Sequence, residues 1–441
     1  MSERVGCRDA FAALVGPGAV AGDDAARAYT VDGTVPDCVV SPATVDEVRA
    51  CAAAASTLGL ALIPTGNGTR LGLGRPPLRY DAALTTRRLR RVVAHEAADM
   101  TVTVEAGATL AEVAAALGTA GQRLPLDPAQ PERTTIGGLI ASDASGPLRL
   151  AHGKVRDHLI GIRVVLADGR LIKGGGRVVK NVAGYDLMKL FAGSCGTLGI
   201  IVEATFKVRP RPEQEEVVVI PATNLGDAIA CAREVIEGPP APAFVEALNA
   251  AAARQIVARD AGATVLVGLE GIAPEIAAQR AELERLSAAR GMTVLTGADA
   301  QRVYTAVRDF PAGLAADGGP ACGCTISMLP SRLGDTLVRV ESEAQRRGLE
   351  PGCVVHAGNG VGVMRFGGPA AGTGLPVLAA WMRTFIRTAG GWVVFDALPS
   401  GLKTDIDPWG DEAPGLALMR GVKRALDPTG CLSPGRFVGG I

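Results

Sequence analysis

The residues of this chain best suited to chemistry lie in two glycine-rich stretches, 64–74 (PTGNGTRLGLG) and 134–146 (TTIGGLIASDASG). Glycine lets a backbone turn where a side chain would clash, and successive amides in such a turn form a nest for negative charge. Threonine and serine hydroxyls in both stretches add groups that can reach a phosphate oxygen. Two such stretches, about seventy residues apart, suit two walls of one site for a phosphate-bearing ligand. Either stretch by itself reads more readily as a plain tight turn.

Groups able to move a proton or hold a carboxylate are fewer. Tyr304 and Arg308 stand four apart, which puts them on one face if their segment is helical and able to grip a carboxylate there. His356 opens the run HAGNGVGV, and no histidine follows it. A single imidazole binds a divalent metal poorly without partners, so His356 is expected to be structural rather than a base or ligand, and no metal site is expected. Cys195, among small apolar neighbours, reads as packing rather than as a reactive thiol. Asp396, Lys403, Asp405 and Trp409 could place polar groups near a cavity, although such residues are more often ordinary loop positions.

The elements that must position these groups follow from local signals. CVVS (38–41) reads as a short buried strand, Thr44 and Glu47 as a capping box for an Ala-rich helix, and Gly59 as its stop. LALIP then returns as a strand and delivers the chain into the first glycine stretch. RRVVAHE and MTVTVEAG read as neighbouring strands, and Thr109 with Glu112 as a second capping box. Farther on, Asp168-Gly169 is a two-residue hairpin turn, 180–196 one helix between glycines, and TLGIIVEATFKVRP a long strand. Pro210 and Pro212 mark a boundary. The second half alternates strands and helices with adjacent strand pairs, as expected for an antiparallel sheet with helices on one face, and closes on the helix LALMRGVKRALDPTG.

Bulk properties narrow the class. A length of 441 residues allows two or three domains. Forty-five basic and 45 acidic residues cancel, so net charge gives no reason to expect nucleic acid. Nine scattered cysteines without a CxxC pair argue against disulfide frameworks and iron-sulfur clusters in this chain. MSERVGCRDA lacks the apolar core of a secretion signal, and no apolar run reaches the length of a membrane span, so a cytoplasmic protein is expected. GxGxxG after a first strand and GxxxxGK[ST] are both absent, which disfavours a nicotinamide site of the Rossmann type.

Taken together, PTGNGTRLGLG, TTIGGLIASDASG and the run from VRDHLIG to VEATFKVRP resemble the FAD domain of the vanillyl-alcohol oxidase / p-cresol methylhydroxylase superfamily. KNVAGYDL with GTLGI resembles its branch that oxidises D-2-hydroxy acids, and GGRVVKNVAGYDL with the short second half resembles the FAD-binding subunits of bacterial glycolate oxidases. The resemblance is dense over 37–210, weaker to about 416, and returns in KRALDPTGCLSPGRF. It implies an α+β fold: a two-part PCMH-type FAD-binding domain (1–213), then a smaller ferredoxin-like domain (214–441) with a mainly antiparallel sheet and a C-terminal helix. It also implies FAD contacts from Pro64, Thr65, Gly66, Asn67, Gly68 and Thr69 to the pyrophosphate. Thr134, Thr135, Gly137, Gly138, Ser142, Ser145 and Gly146 would close on pyrophosphate and flavin, Asp127 would pass the cofactor, and Gly199, Ile200, Ile201 and Val202 would pair with the adenine.

Relatives that tether FAD use a histidine in the first stretch; this chain has Thr69 and its neighbours there, so noncovalent FAD is expected. Catalytic relatives carry HxGDGNxH and a later Glu-His pair around a metal. Here Asn359 takes the acidic position and Val363 that of the second histidine. The resemblance therefore implies a supporting subunit beside a catalytic flavoprotein and an iron-sulfur subunit, oxidising a short 2-hydroxy acid such as glycolate or D-lactate. Any contact with the inner membrane would run through those partners. The alternatives are a self-sufficient dehydrogenase using Tyr304, Arg308, His356 or Lys403, a structural subunit whose FAD is never reduced, and, more distantly, a nicotinamide-using reductase.

Overall fold

The computed structural model describes residues 6–22, 24–176, 185–258, 260–313, 322–368, 371–410 and 414–441. Strand β1 (Val20–Ala21), β2 (Cys38–Val40), helix α1 (Val45–Leu58), β3 (Leu62–Thr65) and β4 (Ala82–Thr85) build the first layer. The four strands lie in the order β1-β2-β4-β3, with β2, β4 and β3 parallel. The Thr44 hydroxyl accepts from the Glu47 amide at 3.1 Å and starts α1, while Gly59 at φ 68° ends it. Val48, Cys51, Ala52 and Ala55 turn one face of α1 onto Cys38, Val40, Leu62 and Leu84.

A second sheet carries β5 (Val92–Glu96), β6 (Thr101–Glu105), β7 (Leu159–Val165), β8 (Leu171–Gly175) and β9 (Ile200–Lys207) in the order β5-β6-β9-β7-β8, all antiparallel. Asp168 and Gly169 form the β7–β8 turn, and Gly169 sits at φ 82°. Helix α2 (Leu110–Gly118) starts at the Thr109–Glu112 capping box. Helix α3 (Ile136–Ser142) lies in the second glycine stretch, and its Ile136, Leu139 and Ile140 share a core with α2 and this sheet.

The helix expected over 180–196 is shorter. Asp186 caps a turn of helix over Leu187–Phe191, and the chain then bends through Cys195 and Gly196, both at positive φ. The KNVAG portion of that expectation lies outside the described residues.

The second half forms one antiparallel sheet of eight strands: β10 (Gln214–Ala222), β11 (Phe244–Leu248), β12 (Ala263–Gly271), β13 (Thr293–Thr296), β14 (Cys322–Ser327), β15 (Glu350–His356), β16 (Val361–Gly367) and β17 (Trp392–Ala397). Their order is β13-β10-β12-β11-β15-β16-β14-β17. Alternation along β10 shows how the sheet is covered: Val218 and Ile220 face one core, Val217 and Val219 the other. On the first face lie the long helices α4 (Leu225–Glu237), α5 (Ala273–Leu286), α7 (Pro330–Arg346) and α8 (Ala371–Thr388), with α6 (Gly297–Asp309) between α5 and α7 in sequence. The opposite face packs on α6 and the short helix Ala250–Ile256, an addition to the one-sided arrangement read from sequence. Cys322 and Cys324 are buried in the first core, as packing thiols.

The chain ends by returning to its start. Helix α9 (Leu416–Leu426) leads to a tail in which the Leu62 amide donates to the Cys431 carbonyl and the Ser433 amide to the Leu62 carbonyl, both at 2.8 Å. The Lys423 ammonium anchors this turn on Asp427 and on the carbonyls of Thr197 and Leu432. No helix of the described residues is long and apolar enough to cross a membrane.

Candidate functional site

Strand β3 runs straight into the first glycine stretch, whose residues form one wall of a cleft of about 870 Å³, counting the part open to solvent. The amides of Gly66, Asn67, Gly68, Thr69 and Arg70 donate to no acceptor among the described residues. The Thr65 hydroxyl, buried at the same wall, also has no partner. A buried hydroxyl is rarely left unmet, and successive outward-facing amides form a nest, so this wall suits a ligand rich in oxygen acceptors. Asn67 ties the wall to the second stretch, its side-chain amide donating to the Arg133 carbonyl at 2.9 Å.

Read as a loop from its composition, the second stretch holds α3 at its centre. The Thr135 hydroxyl caps that helix by accepting from the Gly138 amide at 3.3 Å. Glycine is required where the two walls meet, since a Cβ on Gly66 would lie 2.1 Å from Thr135 Oγ1; a Cβ on Gly137 would make a tight 3.0 Å contact with the core residue Ala106. Thr135, Gly137, Gly138 and Ser142 face the cleft. Ser142 donates to the Gly138 carbonyl at 2.7 Å and keeps its own oxygen as an acceptor.

The third wall is Cys195, Gly196 and the start of β9. Ladder pairing of β9 with β6 begins only at Glu203, which leaves Ile200 and Ile201 paired on one edge alone, with the other beside the cleft, where Gly199 leads into the strand. Burial pushes the Cys195 thiol up to about 12, so it stays neutral.

Two cations from the far end of the chain hold the first stretch in shape. The Lys403 ammonium, buried, pairs with Asp32 and donates to the carbonyls of Gly72 at 2.6 Å and Gly74 at 2.9 Å. Arg436 donates to the carbonyls of Leu71 and Leu73 and presents a second, unpartnered nitrogen at the cleft. Arg436 did not stand out in the sequence, because nothing local marks a contact spanning more than three hundred residues. Lys403, which composition alone would leave as an ordinary loop lysine, is one of the most constrained cations here.

Five residues proposed from sequence lie off this cleft. Thr134 is buried and donates to the Ala129 carbonyl at 2.9 Å. Val202 points into the core beneath the first sheet, and its carbonyl accepts from the Ala106 amide. Ser145 and Gly146 follow α3 outside the cleft lining. Asp127 accepts from the amides of Gly146 and Leu148 and from the Tyr304 hydroxyl at 3.1 Å. It thereby seams the first half of the chain to α6.

Tyr304 and Arg308 do share a helix and a cavity at that seam, but the Tyr304 hydroxyl is spent on Asp127 and Arg308 is paired with Asp309. His356 lies deeper, its Nδ1 2.7 Å from Glu246 on the neighbouring strand. Burial opposes its charge, yet Glu246 raises its pKa above the ordinary value. Among the described residues, no three His, Cys, Asp or Glu side chains converge as a metal site would need.

Burial pushes the Asp127 carboxyl up to about 7, against the pull of its donors. A raised carboxyl favours the folded state while protonated, and that stability is lost as pH climbs from about 4 through about 7. Glu246 and His356, both also raised, act in the same direction. Asp127→Asn is therefore expected to flatten the fall in stability between pH 5 and 8 by up to about 1.4 kcal/mol per pH unit. Urea denaturation at the two ends of that range reads the difference directly; an unchanged slope would remove Asp127 from the account.

The free amides, the unmet Thr65 hydroxyl, the Arg436 nitrogen and the one-sided edge at Ile200 and Ile201 fit a dinucleotide, with charge for a pyrophosphate and ladder groups for a purine. Comparison with known proteins agrees. A family model described as FAD binding domain matches residues 36–175, and one described as FAD linked oxidases, C-terminal domain, matches 211–385 and 409–437. The chain thus carries an FAD binding domain followed by the C-terminal domain of FAD linked oxidases.

The chain is similar to glycolate oxidase subunit GlcD of Bacillus subtilis (strain 168), 34% identical over 50% of this chain and 48% of the relative. It is also similar to glycolate oxidase subunit GlcE of Escherichia coli (strain K12), 40% identical over 34% of this chain and 43% of the relative. The alignments thus span about half the length of these relatives or less. Among solved structures, p-cresol methylhydroxylase with substrate bound superposes with a TM-score of 0.78 at 15% identity, over 98% of this chain and 96% of that one, and shares the fold.

Proposed function

We propose that this chain is the FAD-binding subunit of a glycolate oxidase-type complex that converts a short 2-hydroxy acid, glycolate or D-lactate, to the 2-oxo acid. It would support assembly or relay electrons beside a catalytic flavoprotein and an iron-sulfur subunit. The observation that carries the reading is the state of His356: it is locked to Glu246, with Val361 and Val363 packed into the core beside it, while the cofactor cleft is complete. FAD, when bound, accepts the two electrons that leave the substrate carbon.

The chain's own groups then have definite tasks. Amides 66–70 and Arg436 offset the pyrophosphate charge, Thr65 and Ser142 orient the cofactor by hydrogen bonds, and the apolar walls from Ile63, Ala141 and Ile201 exclude water. Thr69, in place of a tethering histidine, leaves the cofactor held without a covalent bond.

A second reading, a chain that oxidises the acid itself, is favoured by a cavity that adjoins the cofactor cleft and shares Thr69, Arg70 and Leu73 with it. One preparation separates the two. The purified chain is expected to yield its flavin to the supernatant on denaturation. Before denaturation, its visible spectrum should stay oxidised on addition of glycolate or D-lactate until the partner subunits are supplied. Flavin that stays with the denatured protein would overturn noncovalent binding; rapid bleaching without partners would overturn the supporting role.

A further inference from the structure

The cavity beside the cofactor cleft has a volume of about 890 Å³ counted the same way, and its walls come from both halves of the chain. Thr69, Arg70, Gly72 and Leu73 supply the first-stretch side; Arg365, Asp396 and Leu398 supply the sheet side. Arg365 is held in place by protein acceptors. Its guanidinium donates to Asp396 Oδ1 at 3.0 Å, to the Met364 carbonyl at 2.9 Å and to the Pro311 carbonyl. Asp396 is completed by the Thr325 hydroxyl at 2.5 Å.

Arg70 has no hydrogen bond or ion pair among the described residues, although burial pulls its pKa below the ordinary value. Arg70 is partly buried and lines both cavities, so its guanidinium is placed to pair with an anion brought by a ligand. The lining holds two arginines and one aspartate, a surplus of one positive charge, alongside the apolar Ala312, Ala397 and Leu398. That balance suits a small monoanion with a short carbon chain better than a phosphate, which carries more charge and no apolar surface.

We propose that this cavity is a carboxylate-binding site in which Arg70, assisted by the Asp396-anchored Arg365, holds the carboxylate of a short 2-hydroxy or 2-oxo acid beside the cofactor. The proposal rests on the FAD-linked oxidation of such acids proposed above, and it brings the acid to this chain as well as to a partner. Guanidinium and carboxylate meet in a planar, bidentate geometry that ammonium does not reproduce, so Lys at position 70 should restore only part of the binding.

The test uses the purified full chain with its flavin, titrated with glyoxylate, with the uncharged glycolaldehyde and with inorganic phosphate, read by flavin absorbance and by calorimetry. Glyoxylate is expected to bind saturably, glycolaldehyde and phosphate far more weakly. Arg70→Met should retain its flavin and bind glyoxylate about 10- to 100-fold less tightly, with Arg70→Lys between the two. Absence of glyoxylate binding to the unaltered chain overturns the site. So does equal binding of phosphate, or an Arg70→Met variant that loses flavin but binds glyoxylate normally once reconstituted, since Arg70 would then serve the cofactor's phosphates. Binding needs no turnover: if glyoxylate affinity depends on Arg70 but no hydroxy acid ever reduces the flavin, partners included, the site stands and the oxidative reading falls.

Discussion

Gly66→Ala is expected to give a folded chain that purifies without flavin. The added Cβ would lie 2.1 Å from Thr135 Oγ1, so the capping hydroxyl must leave the Gly138 amide or the two walls must part. Overpacking and the lost cap together cost about 2–4 kcal/mol, which would weaken FAD binding by about 30- to 1,000-fold. Gly72→Ala is the matched control in the same stretch, because a Cβ there meets nothing within 4 Å. Flavin-to-protein absorbance ratios after gel filtration compare the two; equal flavin content would mean that the walls do not meet as described.

Lys403→Met should be the most destabilising single change outside the cores. The ammonium is buried with Asp32, and its removal leaves a buried carboxylate and the Gly72 and Gly74 carbonyls without a donor. Breaking a buried pair in this one-sided way costs about 3–5 kcal/mol. Thermal unfolding should show the loss in protein with and without flavin. The double variant Asp32→Asn, Lys403→Met should recover part of it, because the stranded charge is gone. A Lys403→Met chain of unchanged stability would mean that the ammonium does not hold the stretch.

Much of the architecture could be read in advance because its signals are local. Thr44 and Thr109 each start a helix by accepting from a glutamate amide three residues on, Gly59 stops one, and Asp168-Gly169 turns a hairpin. The second glycine stretch is instructive in the other direction. Two glycines in the first turn argue against a helix on intrinsic preference, yet α3 forms because Ile136, Leu139 and Ile140 have a core to enter and Gly137 must pass close to Ala106. Composition carried the chemistry of that stretch but not its shape.

The site divides in the same way. Its amides and hydroxyls sit in contiguous sequence and were legible; its cations were not. Arg70 is adjacent in sequence to the residues singled out and was still passed over, since an arginine in a turn is ordinarily solvated. Arg436 and Lys403 act on carbonyls from residues 71–74 across the whole length of the chain, a relation that only the folded backbone creates. Tyr304 illustrates the opposite error: helical spacing correctly paired it with Arg308, but spacing is blind to Asp127 arriving from the other side of the seam.

The staple formed by Lys403 and Arg436 also limits how the protein can be taken apart. A fragment ending near residue 213 would contain both glycine stretches and still lack the cations that shape the first of them and the strand-edge contacts that the tail makes with Leu62. Chimeras that exchange the second domain among relatives would need to carry this loop and this tail as one unit, and a two-plasmid complementation of the halves should regain flavin only when the second half includes the tail.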